Sequence, residues 1–386
     1  MKRSSCRRWM ASMRTVALLM AALLLQGCWD EVDLGDVSYI TALGIDYKDG
    51  SYQLYSQMIK FAVVAKTDAP QPEPDPVWIG NGTGASLQLA LADMAKGAQM
   101  TLSMEQLKAV VVHERALGKL DDIMDGLNRQ RATRYTSLLF GTRDSIANIL
   151  TGETFFDQSP LHSLLYSPAA YDKQQSFIKP FAMQLAVQSL KEPAMTTVLP
   201  VIAVNEGYWQ HQNKPLKTQI IEGIFVFRET KFLHYLPEAQ VTGLRWLNPE
   251  FKHYLLEADG RDGRATVAVN ASKSLIHADT GKGTPSFELE LSLTGSAAEV
   301  DGRMTQDEII EAVQKKVKRQ LEDTYKTGVA NRLDLYGLEH HLYRYHLAAW
   351  KKSKASGDWE PKDYPLKIAV KMNLVHSGKL DLHKDT

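Results

Sequence analysis

The chain has 386 residues, with 45 basic and 45 acidic side chains and two cysteines, Cys6 and Cys28. That length accommodates two or three domains, and the balanced charge excludes the strongly basic surface that a nucleic-acid partner favours. With no CxxC spacing, thiolate metal sites and dithiol redox chemistry are excluded as well.

The amino-terminal segment reads as a targeting signal. Lys2, Arg3, Arg7, Arg8 and Arg14 form a basic leader, followed by an uncharged run from Thr15 to Leu25 rich in Leu, Ala, Val and Met. A membrane-spanning helix needs about 20 apolar residues, so this run is short for a permanent anchor and typical of a signal-peptide core. It leads into Leu25-Gln26-Gly27-Cys28. That is the order of a bacterial lipoprotein signal, in which a lipid is attached to the cysteine thiol and the chain is cut before it. Residues 1–27 are therefore expected to be a signal peptide and Cys28 the lipidation site. The rest would lie outside the cytoplasmic membrane, tethered to it. Without the leader, 40 basic residues face 45 acidic ones, a formal charge of −5, and Cys28 is the sole cysteine. No internal disulfide is then possible, and polybasic attraction to lipid is not the main anchor.

Val37 to Tyr47 and Tyr52 to Val64 read as strands, joined by the hairpin turn Lys48-Asp49-Gly50. Pro70, Pro72, Pro74 and Pro76 alternate with polar residues and predict an extended loop across 67–78. Gly80-Asn81-Gly82-Thr83-Gly84 reads as a flexible turn before a helix whose face carries Leu87, Leu91, Met94 and Ala98. It lacks the spacing of a phosphate-binding loop. A buried strand is expected over Lys108–His113, a helix over Leu117–Asn128, a strand over Thr136–Thr142 and a short helix over Ser145–Leu150. Pro160 to Pro180 is loop-rich. A helix over Phe181–Leu190 and a strand over Leu199–Val204 lead to a polar turn at Gln210–Pro215, where the main domain boundary is expected. That divides the mature chain into 28–210, possibly two subdomains, and 216–386.

In the second half, Ile221 to Leu236 reads as a hairpin turning at Glu229-Thr230, and Pro237 to Leu247 as a short helix. Two long strands follow, near Ala265–Ala278 and Ser286–Thr294. In the second of them Phe287, Leu289, Leu291 and Leu293 alternate with polar residues, as on a sheet with one dry face. Thr305 and Glu308 form a capping-box signature. The helix they open carries Ile310, Val313, Val317, Leu321 and Tyr325 on one stripe and Lys315, Lys316, Lys318 and Arg319 on the other face. A second helix is expected from Leu335 to Lys352, and a last strand over Leu366–Leu374. The expected class is α+β, multi-domain, with mostly antiparallel mixed sheets and helices packed on them.

No catalytic constellation stands out: HExxH, GxSxG and the P-loop are all missing. His340, His341 and His346 lack the i, i+4 spacing of a helical metal site. Asp30, Glu31, Asp33 and Asp36 read as a solvated linker, and Trp209, Trp246, Trp350 and Trp359 as packing residues. A non-enzyme is expected, with no cofactor beyond the lipid on Cys28.

The run LLLQGCWDEVDLGDVSYITALGIDY resembles the start of Ger(x)C-type spore germination lipoproteins, the C subunits of germinant receptors. The matching residues are Gly27-Cys28-Trp29-Asp30 and Gly44-Ile45-Asp46. Further similarity follows in order at Gly84–Leu91, Lys108–Glu114, Leu199-Pro200, Gly223–Leu236 and the Asp-φ-φ-Gly element within Asn331–Gly337, φ being apolar or aromatic. The resemblance implies a lipid-anchored, non-catalytic subunit at the outer face of the spore inner membrane. It would assemble with membrane A and B subunits that respond to nutrients. The alternative, a solute-binding lipoprotein of an importer, would share the anchor but show two similar lobes of repeated β-α-β units. The second half here does not alternate in that way.

Overall fold

The computed structural model describes residues 37–59, 77–130, 135–281, 284–355, 357 and 359–375. Cys28, the proline-rich segment at 70–76, the outer end of the second predicted strand and the tail after Gly378 lie outside them.

The first sheet begins with β1 (Val37–Lys48) and β2 (Ser51–Met58), an antiparallel hairpin. Asp49 and Gly50 turn it with φ of 52° and 77°, the left-handed pair that a two-residue hairpin loop requires. Next come β3 (Trp78–Gly84), α1 (Leu87–Ala95), β4 (Thr101–Ser103), β5 (Ala109–His113), α2 (Leu120–Asn128), β6 (Leu138–Thr142), α3 (Ile146–Leu150), α4 (Ala169–Gln174), β7 (Phe181–Ala182), α5 (Met183–Lys191) and β8 (Thr196–Asn205). A small hairpin, β9 (Gln210–His211) with β10 (Lys214–Pro215), precedes β11 (Thr218–Arg228) and β12 (Lys231–Pro237). The main sheet runs in the order β12-β11-β8-β6-β5-β1-β2-β3, with β4 beside β1 and β7 beside β6.

The strands β1, β5, β6 and β8 are mutually parallel. They form the middle of the sheet, with antiparallel hairpins on both sides. Every residue of β5 is buried, as expected of a parallel strand covered on both faces. Leu87, Ile123 and Leu190 of α1, α2 and α5 pack on one face. Ile146 and Ile149 of α3 pack on the other, in a core that runs on into the second sheet.

Three departures from the sequence reading lie ahead of the second sheet. Gly80–Gly84 is not a turn but part of edge strand β3, paired along β2. Its glycines let α1 lie directly against the strand: a Cβ on Gly82 would stand 2.2 Å from the Ala90 carbonyl, and one on Gly84 2.4 Å from the Ala90 nitrogen. The hairpin expected at the head of the carboxyl-terminal half, β11–β12, extends the first sheet instead, since β11 pairs along the whole of β8. Third, Pro237–Leu247 forms two short 3-10 segments rather than an α-helix.

The second sheet has the order β13-β14-β15-β16, from β13 (Tyr254–Asp259), β14 (Asp262–Asp279), β15 (Ser286–Arg303) and β16 (Leu366–Leu374). The β15–β16 pair is parallel, which requires a crossover. It is made by α6 (Gln306–Ala330), α7 (Leu338–Tyr345) and α8 (Leu347–Ala355). Thr305 and Glu308 close the predicted capping box on α6. That helix buries Ile309, Val313, Val317 and Leu321 on the dry face of the sheet, beside Phe287, Leu289 and Leu291. The helix expected over Leu335–Lys352 begins later, at Leu338, and is interrupted at His346, whose φ of −138° and ψ of 54° are non-helical.

Candidate functional site

The motif residues of the first sheet gather at the carboxyl end of β1. Gly44 is required because a Cβ would meet Ile146 Cγ2 at 2.1 Å, so α3 could not seat on the strand. Asp46 is 3 % exposed. Its Oδ1 accepts the Tyr47 N–H at 2.8 Å and Arg115 Nε at 3.1 Å, and Oδ2 pairs with Arg115 Nη2. His113 Nδ1 lies 3.6 Å from the same carboxylate and accepts the Arg115 N–H at 3.1 Å. Burial pushes the Asp46 carboxyl up, but the Arg115 hydrogen bond, the charges of His113 and Arg115 and the Tyr47 N–H outweigh it. They hold the group below its usual value. Burial holds His113 below the ordinary histidine value. The Gly-Ile-Asp motif therefore locks the ends of β1 and β5 together.

The second motif does a similar task among the helices. Asp334 is buried, and Oδ2 accepts the Glu339 N–H at 2.7 Å. Burial pushes its carboxyl up to about 6, against backbone N–H groups that favour the charged form. Gly337 stands at φ 66°, ψ 32°, a left-handed position that costs other residues about 1–2 kcal/mol. Two residues on, Glu339 is 2 % exposed. It takes Arg228 from the tip of the β11–β12 hairpin and Trp350 Nε1 from α8 at 3.2 Å. Nearby, Glu192 after α5 meets Arg344 at 3.2 Å and His340 at 3.5 Å. These pairs join the first sheet to the carboxyl-terminal helices. Asp46, Asp334 and Glu339 thus spend their oxygens on structural donors rather than facing a substrate.

A cleft lies on the α3 face of the first sheet. Gln57 on β2 donates to the Leu150 carbonyl and Gln219 on β11 to the Ile149 carbonyl, both at 2.7 Å. These strands are five places apart in the sheet, yet they cap adjacent carbonyls at the end of α3, so the sheet curls strongly round that helix. Tyr166 donates to the Gln57 side chain, and burial pushes its hydroxyl well above the ordinary value, keeping it a donor. Beyond Leu150 opens a cavity of about 800 Å³, walled by Val77, Gly152, Phe155, Trp209 and Pro215. Phe155 packs edge-on against Trp209 with ring centroids 4.9 Å apart. Around the mouth, Phe156 is 91 % exposed and Trp209 56 %. Phe156 sits at φ 57°, ψ 35°, unusual for a bulky residue.

Of the four tryptophans read as packing residues, Trp246 and Trp359 are buried, Trp350 bonds Glu339, and Trp209 alone of them is largely exposed. Sequence reasoning missed the Phe155-Phe156 pair; two adjacent aromatics in a polar stretch were the available signal. Burial, followed by the charges of His346, His277 and His340, holds His341 below its ordinary value. Among the described residues, no group of three or more His, Cys, Asp or Glu side chains could hold a metal ion. No helix among them is long and apolar enough to cross a membrane.

Comparison with known proteins gives a consistent result. Residues 30–204 match the family described as spore germination protein N-terminal domain, and residues 222–378 match spore germination B3/GerAC like, C-terminal. Spore germination protein KC of Bacillus subtilis (strain 168) is 24% identical over 371 residues, covering 89% of this chain and 90% of that protein. A putative spore germination protein, YfkR, of the same organism is 20% identical over 291 residues, 73% of each chain. The crystal structure of the GerBC protein superposes with a TM-score of 0.55 at 15% identity, covering 86% of this chain and 96% of that one. This last likeness concerns the fold.

Proposed function

The chain belongs to the Ger(x)C family of spore germination proteins, the germinant receptor C subunits, and from that premise we propose that it works as a lipid-anchored, non-enzymatic subunit. Cys28 carries the lipid and holds the folded part at the outer face of the spore inner membrane. There it assembles with the membrane-embedded A and B subunits of a nutrient receptor. The observation that carries this reading is the match of both germination domains, in order, along one chain. The lipoprotein signal at Leu25–Cys28 supports the tether.

Each buried CH₂ of an acyl chain contributes about 0.8 kcal/mol to membrane binding, so two chains hold far more firmly than one. Tethering then raises the effective concentration of the folded part around integral partners. The importer alternative calls for two similar lobes. The two sheets here differ in strand number, order and crossover pattern. Affinity capture of the full-length protein from spore membranes tests the assignment. Recovery of receptor A and B subunits is expected; recovery of importer components in their place would contradict it.

A further inference from the structure

We propose that the aromatic tips lining the mouth of the cleft, Phe155, Phe156 and Trp209, seat in the surface of the lipid bilayer, so that the chain meets the membrane at a second place besides its anchor. This inference rests on the Cys28 tether and adds an orientation to it.

The first support is position. Val77, in the wall of the cleft, precedes Trp78, which lies opposite Met58, which lies opposite Ile40. The wall therefore stands two interstrand spacings, about 10 Å, from the beginning of β1. Nine peptide steps join Val37 to Cys28 and reach at most about 30 Å. The described chain thus begins two strands in from the β3 edge, at the same end of the sheet as Val77.

The second support is chemistry. Tryptophan and tyrosine are enriched at membrane–water interfaces, because one end of each side chain is apolar and the other polar. Phenylalanine suits the acyl boundary beneath. Two carboxylates near the cleft have protein partners: Glu153 accepts the Lys217 backbone N–H at 3.1 Å, and Glu206 lies 3.7 Å from the Lys217 ammonium. Lys214, on the exposed β9–β10 hairpin, suits anionic headgroups.

The third support is shape. Phe156, 91 % exposed, is a projection rather than part of a flat patch. A fluid leaflet accepts a projection without a matched pocket, whereas a protein partner would have to supply one.

The test uses the mature lipoprotein purified from membranes and reconstituted in phosphatidylglycerol–phosphatidylethanolamine vesicles containing brominated lipid. Bromine quenches tryptophan at the interface. Trp29 beside the anchor contributes a background common to every variant. Trp209→Phe should lower the quenched emission by one tryptophan's share, and Phe156→Ser should lower the quenching of Trp209 while the protein stays on the vesicles. Equal quenching of the unsubstituted and Trp209→Phe chains, both retained, would overturn this inference and leave the tether standing, pointing to a protein occupant of the tips. Loss of the unsubstituted chain from the vesicles would overturn the tether and this inference with it.

Discussion

Asp46 sits at the end of β1 with Arg115, His113 and the Tyr47 N–H around it. Its folded carboxyl titrates below the ordinary value of 3.8. The stability it contributes is therefore present above that value and lost as pH falls through the lower, folded one. His113 also titrates below its ordinary 6.5, so its contribution is present above 6.5 and fades as acid charges the ring. Arg115→Ala removes two hydrogen bonds from a buried carboxylate. Because Arg115 is half-exposed, the cost should be about 2 kcal/mol, the scale of a screened charge-assisted pair. Urea unfolding at neutral pH checks it, and an unchanged midpoint would show that the Tyr47 N–H and His113 suffice. The Gly-Ile-Asp motif was legible in the sequence as a family mark. Its cause was not, because Arg115 is 69 residues away and only the β1–β5 pairing brings it close.

Among the elements, most strands were legible because burial follows the pattern of alternating or unbroken apolar residues, as on β15 and β5. The misread elements are those in which packing overrides local preference. The glycines of β3 signal a loop in isolation, but against α1 they are the residues that fit. The break at His346 carries no proline or glycine to announce it. The start of α7 depends on Asp334, whose carboxyl rises to about 6 in the fold. A raised carboxyl contributes most stability below its unfolded value near 3.8 and loses it as pH rises through about 6. Asp334→Asn keeps an acceptor without the titration. The variant should lose less stability than the parent between about pH 4 and pH 6.5, read as urea midpoints; an equal loss in both would rule out Asp334 as the source.

The whole molecule is one chain with two unlike sheets that share a core. The carboxyl-terminal helices are clipped to the first sheet by Glu339 and Glu192. Arg228→Ala leaves Glu339 buried with weaker partners and should destabilise the chain by about 3 kcal/mol. Hydrogen exchange should quicken first in α7; uniform exchange would show that the joint lies elsewhere. The α+β class was legible from the order of elements. The membership of β11–β12 was not, because a polar turn before a hairpin looks the same whether the hairpin opens a new sheet or extends an old one. The cleft was equally hidden, since it forms where distant corners of a curled sheet approach.

We propose that Cys28 tethers this germination protein to the membrane. Fractionation of spores carrying Cys28→Ala, with the nutrient response recorded on the same spores, tests it most directly. The variant is expected to leave the membrane fraction, and nutrient-triggered germination to weaken. Normal membrane retention together with a normal response would contradict it.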